Sequence, residues 1–400
     1  MTVPAGAAGL RVAAVHEWLT VPGGSEKVLQ RILGLLPAAE VFTAVRDPET
    51  AWPSPLGDRP VHTSFLQRLP GAQRHYPRLL PLMTAAFEAF DLSGYDLVVS
   101  SSHSCAKNVL TGAGTPHVCY CHTPMRHAWE PHLLRGELGP AARLAARPFL
   151  PRLRREDFLG AQRIDRILAN SSHVAARIRK YWRREARVVH PPVDVDRFLA
   201  RPHDPEDYYL VAGRVVPYKR VDLAVAACAR LGRRLKVVGT GRGLDRARAA
   251  AGPGAEFLGA VDDGELERLL GGARALLFPG EEDFGIVPVE AQAAGCPVIA
   301  YGVGGARDSV VPGRTGLLFD RQDPATLAQA IEAFESLQLD DAVIRANAER
   351  FRPERFDAAM ADELQAALAG RQQAPRPDST AGSVANMMAR SRPSDQHDTY

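Results

Sequence analysis

Two carboxylates, Glu282 and Glu290, lie around the predicted start of a helix that follows a short apolar segment. The helical pattern begins at Phe284, so the backbone N–H groups of Phe284, Gly285 and Ile286 would have no partner inside the helix. Such amides bind phosphate oxygens, and glutamate side chains accept hydrogen bonds from the hydroxyls of a sugar or ribose. The segment therefore predicts a site for a ligand that carries both phosphate and hydroxyl groups.

A second segment, AGRVVPYKR, places two cations directly after a predicted strand. Arg214 stands at the carboxyl end of that strand and Lys219 in the turn that follows. Arginine offers a planar fork of donors and lysine a compact charge, so the two together suit a diphosphate held from two sides. The alternative is a solvated basic turn, and it fits the neighbouring Arg220 better than it fits these two residues.

Near the N-terminus, Gly23 and Gly24 separate a predicted strand from a helix, and Ser25 is predicted to cap that helix. Glycines allow backbone to approach a ligand, so a phosphate or an acceptor could bind there, although a glycine pair before a helix is often only a turn. His122 ends another predicted strand, which would direct its imidazole into a cleft.

Two other patterns have competing interpretations. Cys119, Cys121 and His122 could suggest a metal, yet both cysteines face one side of a strand and no second ligand pair follows at zinc spacing. The segment GTGRG after Val238 could suggest a dinucleotide site, but turns of this kind close many βαβ units. Neither pattern accounts for the cations and carboxylates described above, and no metal or other cofactor is predicted.

Predicted strands alternate with predicted helices along the whole chain, which indicates an α/β fold. The strands of the first half are predicted over residues 10–16, 95–100, 117–121 and 164–169, and those of the second half over 208–212, 235–239, 256–258, 275–278 and 298–301. Pro191 and Pro192 disfavour a helix at the junction. We therefore predict two Rossmann-like domains, residues 1–190 and 191–350, with the ligand in the cleft between the carboxyl ends of their strands.

Composition limits the remaining possibilities. The 400 residues include 49 basic and 46 acidic side chains, so net charge gives no argument for nucleic acid. Five scattered cysteines in apolar contexts indicate reduced thiols and favour the cytoplasm. No membrane span or signal peptide is recognisable. Residues 371–400, rich in Pro, Ser, Gln and Arg, are predicted to be a disordered tail.

Two segments, 65–83 and 143–158, contain several arginines among leucine and phenylalanine residues. Basic and apolar side chains together dock on anionic lipid, which predicts a peripheral membrane contact. A pair of helices that covers the core of the first domain, with its arginines in water, is an equally good interpretation.

The E-x7-E spacing, the Phe-Gly pair, the following AxxxGxPV turn and the GR...K pair resemble the donor site of retaining, family-4 glycosyltransferases with the two-domain GT-B fold. Further segments resemble, in the same order, a bacterial branch of that family that includes O-antigen mannosyltransferases. They are GGSEKVL, SSHSCAKNV, CYCHTPMRHAW, ANSSHVAARIRKYW and PPVDVDRF.

This resemblance implies roles for individual residues. Glu282 would contact the transferred hexose, Glu290 the ribose, and His122 the transferred sugar, while Gly23 and Gly24 would form a donor-side loop. Asp283 stands where many members carry glycine.

The same resemblance implies a reaction and its partners. The helix within 351–370 would return to the first domain, which would hold the acceptor. The reaction would transfer a hexose, such as mannose from GDP-mannose, onto a polysaccharide or lipid-linked glycan, with retention and without a metal. It would take place in the cytoplasm or at the inner face of the cell membrane.

Two other functional classes fit part of this pattern. A glycoside hydrolase also uses paired carboxylates, but it does not need cations for a diphosphate. A non-catalytic GT-B-like subunit would bind a nucleotide sugar without turning it over.

Overall fold

Parallel strands and intervening helices build two sheets in the part of the chain that the structure describes. This computed structural model describes residues 9–131, 139, 141, 144, 146–200 and 202–373, with the backbone alone for 371–373. The predicted tail, 371–400, lies outside the described residues except for those three.

The first sheet has the strand order β3-β2-β1-β4-β5-β6-β7, and every pair is parallel. Its strands are β1 (Val12–His16), β2 (Ala39–Thr43), β3 (Val61–Thr63), β4 (Leu97–Ser102), β5 (His117–Cys121), β6 (Arg166–Ala169) and β7 (Arg187–Val188). All residues of β1, β4 and β5 are buried, because helices cover both faces of a parallel sheet.

Three of the helices described in this part of the chain have more than ten residues, and the others are shorter. They are α1 (Gly24–Leu35), α2 (Ala72–His75), α3 (Leu80–Glu88), α4 (Arg126–Trp129), α5 (Leu150–Gln162) and α6 (Ser172–Trp182). The sequence did not indicate β2, β3 and β7.

The second sheet is also parallel, with the order β10-β9-β8-β11-β12-β13. Its strands are β8 (Tyr209–Ala212), β9 (Leu235–Val238), β10 (Ala255–Gly259), β11 (Leu276–Phe278), β12 (Val298–Tyr301) and β13 (Gly316–Phe319). Its helices are α7 (Asp196–Leu199), α8 (Val221–Leu231), α9 (Leu244–Ala249), α10 (Asp263–Gly271), α11 (Val287–Ala293), α12 (Ala306–Ser309), α13 (Pro324–Glu335) and α14 (Asp341–Ala348).

The last helix, α15 (Pro353–Gln373), packs on the first sheet although it follows the second in sequence. Its apolar residues Phe356, Met360 and Leu364 lie in the same core cluster as the central strands β1, β4 and β5. Asp357 accepts two hydrogen bonds from Arg31 of α1, at 2.6 and 2.5 Å. The helix therefore ties the two halves of the chain together at the side of the first sheet.

A buried ion pair fixes the loop that follows β4. Nζ of Lys107 lies 2.6 Å from Oδ1 of Asp157 on α5, and both side chains are almost completely shielded from solvent. The other carboxylate oxygen accepts hydrogen bonds from the indoles of Trp129 and Trp182, at 2.7 and 2.6 Å. Every polar atom of Asp157 is thus satisfied, which a buried charge requires.

We expect Lys107→Met to lower the free energy of unfolding of this domain by about 3–5 kcal/mol, because Asp157 would remain buried without its cation. Urea denaturation followed by near-UV circular dichroism measures the loss. The matched control is Arg152→Met, since Arg152 makes an ion pair of the same length, 2.6 Å, with Glu156, but its side chain is 55% exposed. That variant should lose less than about 1 kcal/mol. Equal losses in the two variants would contradict the prediction.

Candidate active site

The carboxyl ends of four strands border the cleft between the two sheets. The strand order reverses between β1 and β4 in the first sheet and between β8 and β11 in the second. Loops leave a parallel sheet in opposite directions at such a point and open a crevice there. The loops of the two sheets meet: a Cβ atom on Gly24 would lie 3.3 Å from Cδ1 of Ile286.

Lys219 and Glu282, both predicted site residues, form an ion pair in this crevice. Lys219 lies in a short turn, Pro217–Lys219, after β8, and Glu282 lies in the loop after β11. Nζ of Lys219 is 3.0 Å from Oε1 of Glu282, and the side chains are 16% and 17% exposed. The two loops touch because Gly280 has no side chain: a Cβ atom there would lie 2.7 Å from Cα of Lys219.

Arg214 lines the same small cavity as this ion pair. The other lining residues come from the ends of β8 and β11 and from the turns after them. They are Val211, Ala212, Gly213, Val221, Leu277, Phe278, Pro279 and Gly280. The lining of the cavity thus combines two cations, one carboxylate and apolar walls. Such cations bind phosphate oxygens, and a carboxylate accepts hydrogen bonds from hydroxyls.

Lys219 is charged at neutral pH. Burial disfavours the charge, but the Glu282 carboxylate outweighs burial and raises the pKa of Lys219. Burial and Glu282 also raise the pKa of the Tyr218 phenol beside it. The Lys219 ammonium therefore keeps its positive charge. It can exchange the Glu282 carboxylate for the phosphate of an incoming ligand as its ion-pair partner.

The prediction that the helix begins at Phe284 is wrong, because α11 begins at Val287. Gly285 has a φ of +87°, and a Cβ atom on it would lie 2.8 Å from the ring of Phe278, so the chain turns there before the helix starts. Among the described residues, the N–H groups of Phe284, Gly285 and Ile286 donate to no backbone acceptor. They remain available to a ligand as loop amides, without the support of a long helix.

Glu290 is not brought into the cavity of the ion pair, and it does not line it. Its carboxylate lies on α11, and burial raises its pKa, an effect that Lys27 of α1 and Arg197 of α7 oppose. Glu290 therefore lies within the electrostatic reach of Lys27 and Arg197, outside the lining of the cavity. A ligand that reached both glutamates would have to extend from Lys219 along the loop 284–286 to α11.

The glycine pair lies where α1 begins, but Ser25 does not cap that helix, so this prediction is wrong. Gly23 is the residue that precedes the helix, and no side chain caps it. Ser25 instead donates a hydrogen bond to Oε2 of Glu26, at 2.9 Å. Glu26, which sequence reasoning did not single out, thus contacts the residue that follows the glycine pair.

His122 follows β5, and its Nε2 lies 2.8 Å from Oγ of Ser101 at the end of β4. Burial, together with the neighbouring His103 and His16, lowers the pKa of His122 to about 3. The imidazole is therefore neutral at physiological pH and can exchange a hydrogen bond with a hydroxyl.

Sequence reasoning missed a buried pair beneath the glycine loop. Nε2 of His16 lies 3.2 Å from Oε1 of Glu26, and Nδ1 lies 3.1 Å from the carbonyl of Ser101. Burial raises the pKa of Glu26, but the contacts with His16 and Ser25 prevail and lower it to about 2. The only signal in the sequence is that His16 ends a strand at the crevice.

Glu17 was missed as well, and it shapes the loop after β4. Its buried carboxylate accepts hydrogen bonds from the hydroxyl of one residue and from four consecutive backbone N–H groups. The donors are Ser102, His103, Ser104, Cys105 and Ala106, at 2.6–3.0 Å. Burial opposes the charge, yet His103 and these amides lower the pKa of Glu17. A fixed anion therefore holds His103 in place.

Aromatic rings continue from the cleft across the ends of β5, β4 and β1. The ring of His103 lies 6.4 Å from that of His122 and 4.7 Å from that of Trp18, which in turn lies 4.6 Å from Tyr76. His103, Trp18 and Tyr76 are each half-buried. The row leads from the cleft toward the arginine-containing segment 65–83.

The residues of the two alternative patterns make other contacts in the structure. Cys119 and Cys121 pack in an apolar cluster with Trp182, whereas His122 contacts Ser101. No group of three or more His, Cys, Asp or Glu side chains suited to a metal occurs among the described residues. A Cβ atom on Gly239 would lie 1.9 Å from the carbonyl oxygen of Gly213, so this glycine of GTGRG permits contact with the loop of Arg214.

Two family models cover most of the chain. Residues 22–197 match the model described as Glycosyltransferase Family 4, and residues 194–351 match the one described as Glycosyl transferases group 1. The first half of the chain is thus similar to the Family 4 model and the second half to the group 1 model, and these two regions are called the Family 4 domain and the group 1 domain below. The prediction of a glycosyltransferase thus agrees with both domains. Lys219 and Glu282 belong to the group 1 domain, and His122 and the glycine loop to the Family 4 domain.

Curated relatives carry the name D-inositol 3-phosphate glycosyltransferase. The protein from Streptomyces avermitilis is 34% identical over 206 residues, which is 42% of this chain and 44% of the relative. The protein from Segniliparus rotundus is 31% identical over 243 residues, 53% of this chain and 54% of the relative. The chain thus matches about half the length of these relatives.

Two solved structures share the fold of about nine-tenths of the chain. Sucrose-phosphate synthase from Thermosynechococcus elongatus is 22% identical with a TM-score of 0.63, over 91% of this chain and 98% of that one. HepE from Anabaena, solved in complex with UDP and glucose, is 18% identical with a TM-score of 0.62, over 88% and 98%. These likenesses confirm the predicted GT-B fold with two Rossmann-like domains.

No helix in the described ranges combines the length and the apolar character that crossing a bilayer requires.

Proposed function

We propose that this protein is a retaining glycosyltransferase that moves a hexose from a nucleotide sugar to a glycan or lipid-linked acceptor. The observation that carries the proposal is the shared cavity of Arg214, Lys219 and Glu282 at the carboxyl ends of β8 and β11. The relatives named D-inositol 3-phosphate glycosyltransferase, and the HepE structure with UDP and glucose, support a nucleotide-sugar donor.

In this proposal, the group 1 domain holds the donor. Arg214 and Lys219 bind the diphosphate and stabilise the negative charge that grows on it as the glycosidic bond breaks. The loop amides of Phe284, Gly285 and Ile286 add donors to the phosphate oxygens. Their positions are set before the reaction, which is where fixed charges and dipoles lower a barrier most. These protein groups supply the positive charge, so we expect activity without an added metal.

Glu282 orients the hexose, and Glu290 accepts a hydrogen bond from the ribose further along the loop. When the diphosphate arrives, Lys219 can exchange the Glu282 carboxylate for a phosphate oxygen, which frees Glu282 for the hydroxyls of the sugar. His122 is neutral and contacts the sugar from the opposite side of the cleft, next to the glycine loop. The departing phosphate assists in removing the proton of the acceptor hydroxyl, so no carboxylate acts as a nucleophile.

The Family 4 domain would hold the acceptor. The row of His103, Trp18 and Tyr76 supports this placement, because half-buried aromatic rings present apolar faces on which the C–H faces of a pyranose can stack. We keep mannose from GDP-mannose as the proposed donor sugar and an O-antigen type glycan as the proposed acceptor. The names of the relatives make inositol phosphate an acceptor to test beside it.

Donor binding and turnover test the proposal. Thermal denaturation with UDP-glucose, GDP-mannose, UDP and GDP should identify a stabilising nucleotide, since a ligand at a hundred times its Kd stabilises by about 2.7 kcal/mol. The stabilising sugar nucleotide should then be hydrolysed slowly alone and transferred faster with an acceptor, in buffer that contains EDTA.

Other outcomes separate the alternatives. Stabilisation without turnover of any donor and acceptor would indicate a non-catalytic binding subunit. Hydrolysis of a nitrophenyl glycoside without response to nucleotides would indicate a glycoside hydrolase.

We also propose a membrane contact, which two neighbouring segments of the Family 4 domain with exposed apolar and basic side chains support. These residues are the exposed apolar Phe65, Leu69, Leu82, Phe149 and Leu159 and the exposed basic Arg68, Arg74, Arg78, Arg147 and Arg152. The segments are neighbours, since Arg163 at the end of α5 pairs with Glu88 of α3 at 2.8 Å. No acidic residue interrupts 65–87. We propose that this lipid-facing surface binds the inner face of the cell membrane.

We expect Arg74→Glu with Arg78→Glu to abolish most binding to anionic vesicles, because each basic residue at such a surface contributes about 1 kcal/mol. Co-sedimentation with phosphatidylglycerol vesicles measures binding, and phosphatidylcholine vesicles give the baseline. Arg321→Glu, an exposed arginine of the group 1 domain, is the control and should bind as the unaltered protein does. Unchanged binding by the double variant would leave the solvated helix pair as the interpretation.

A further inference from the structure

Asp283, next to Glu282, is held by the other domain. Its Oδ1 lies 2.6 Å from Nη1 of Arg177 on α6 and 3.6 Å from Nε of Arg126 on α4. Its backbone carbonyl accepts a hydrogen bond from Ser171. Both cations belong to the Family 4 domain, so the carboxylate of Asp283 crosses the cleft and is already occupied.

Neighbouring groups of the same loop are held in the same way. Nη2 of Arg126 donates to the carbonyl of Glu281 at 3.2 Å, and Nε2 of His173 lies 3.5 Å from Oε1 of Glu281. Arg126 also lies over the ring of Tyr218, at 5.5 Å, beside Lys219. The loop that carries Glu282 is thus anchored on both sides of that residue by side chains of the Family 4 domain.

The anchoring groups are themselves rigid. Arg177 is 6% exposed, and it also donates to Oγ1 of Thr123 at 3.1 Å and pairs with Glu130. A guanidinium so enclosed has few alternative positions, and charge-assisted contacts of this kind are strong when solvent is excluded. Asp283 therefore binds a fixed point of the Family 4 domain and does not contact the sugar.

We propose that Asp283, Arg177 and Arg126 form a positioning cluster that fixes Glu282 for the donor sugar only when the two domains are together. The diphosphate cations Arg214 and Lys219 lie in the group 1 domain alone, so donor binding does not need the cluster. Orientation of Glu282 does need it. The inference rests on the proposed function, and it explains why an aspartate stands at 283.

The test measures two quantities for Asp283→Asn. Nucleoside diphosphate affinity, measured by calorimetry with UDP and GDP, should change less than about twofold, because the cations that bind it are unaltered. The kcat for hydrolysis of UDP-glucose or GDP-mannose, whichever the unaltered protein hydrolyses, should fall on the order of 100-fold, as misplacement of a positioned group by about 1 Å does. Arg126→Gln removes the less buried of the two arginine partners of Asp283. It should likewise lower kcat while leaving the affinity for nucleoside diphosphate nearly unchanged.

Asp308→Asn is the matched control. Asp308 of α12 also crosses between the domains, accepting a hydrogen bond from the N–H of Ser172 at 2.7 Å and contacting His190 at 3.0 Å. It does not adjoin Glu282. If loss of any cross-domain contact were the cause, Asp308→Asn would lower kcat as much as Asp283→Asn, and that result would overturn the inference.

Failure of the inference is distinguishable from failure of the proposed function. If the unaltered protein binds no nucleoside diphosphate and hydrolyses no donor, the proposed function is wrong. If it does both and Asp283→Asn keeps full kcat, only the positioning cluster is wrong.

Discussion

Glu282→Ala is expected to lower kcat for glycosyl transfer by roughly 10- to 150-fold, the effect of losing a hydrogen bond to a charged group worth about 1.5–3 kcal/mol. Glu282 is the carboxylate that lines the cavity of Arg214 and Lys219. The same change should leave affinity for UDP or GDP unchanged or increase it, because Lys219 would no longer be shared with a carboxylate 3.0 Å away. A fall in kcat with no fall in diphosphate affinity is the expected signature, and steady-state kinetics with calorimetry measures it.

The control for this variant is Glu335→Ala. Glu335 is also 17% exposed and also forms an ion pair, with Arg233 at 2.7 Å, but it lies on α13 away from the cleft. Its loss should leave kcat as it is. Near-normal transfer by Glu282→Ala, or an equal loss in both variants, would show that Glu282 has a structural role only.

The sequence was sufficient where a functional residue directly follows a strand. Arg214 and Glu282 come directly after buried apolar segments, and parallel strands bring their carboxyl ends to one edge. Lys219 belongs to the turn after Arg214, so its closeness to Glu282 followed from the same argument. The strands β2, β3, β7 and β13 were not recognised. Two of them, β3 and β7, have only three and two residues, which is too few for a pattern to show.

Predictions from local sequence patterns were wrong where the same residues are compatible with more than one backbone conformation. Ser25 is a good capping residue, yet the helix begins at Gly24, and the Ser25 hydroxyl donates its hydrogen bond to the carboxylate of Glu26 instead. Phe284 to Ile286 suit the first turn of a helix, but the ring of Phe278 and the positive φ of Gly285 delay the helix to Val287.

Contacts between distant segments leave no mark on local patterns. Arg177 and Asp283 are separated by 106 residues, and Lys107 and Asp157 by 50. Each of these side chains alone looks like an ordinary surface charge. Only the arrangement of the two domains decides that Asp283 points across the cleft, so the positioning cluster is a property of the tertiary structure and leaves no local pattern in the sequence. The same holds for Glu17, whose five donors lie in a loop 85–89 residues further along the chain.

Lys219→Met is expected to weaken binding of UDP or GDP by more than the roughly 10- to 150-fold that one charge-assisted hydrogen bond provides. Two effects have the same sign. The variant removes a cation from the phosphates, and it leaves Glu282 as an uncompensated anion in the cavity they must enter. Binding of uridine or guanosine, which lack phosphates, should not change. Calorimetry with each nucleoside and its diphosphate measures both. Arg220→Met is the control, because Arg220 pairs with Asp222 at 3.2 Å and does not line the cavity.

The double variant Lys219→Met with Glu282→Gln separates the two effects. If Glu282 repels the diphosphate once its partner is gone, neutralising it should recover part of the lost affinity, although kcat stays low. If Lys219 acted only by holding the loop in shape, the second change would leave the lost affinity as it is, since the contact between the two residues is already broken in the single variant. Recovery of affinity therefore requires that the phosphates enter the space between Lys219 and Glu282. The absence of any recovery would place the diphosphate elsewhere, and the proposed donor site would be wrong.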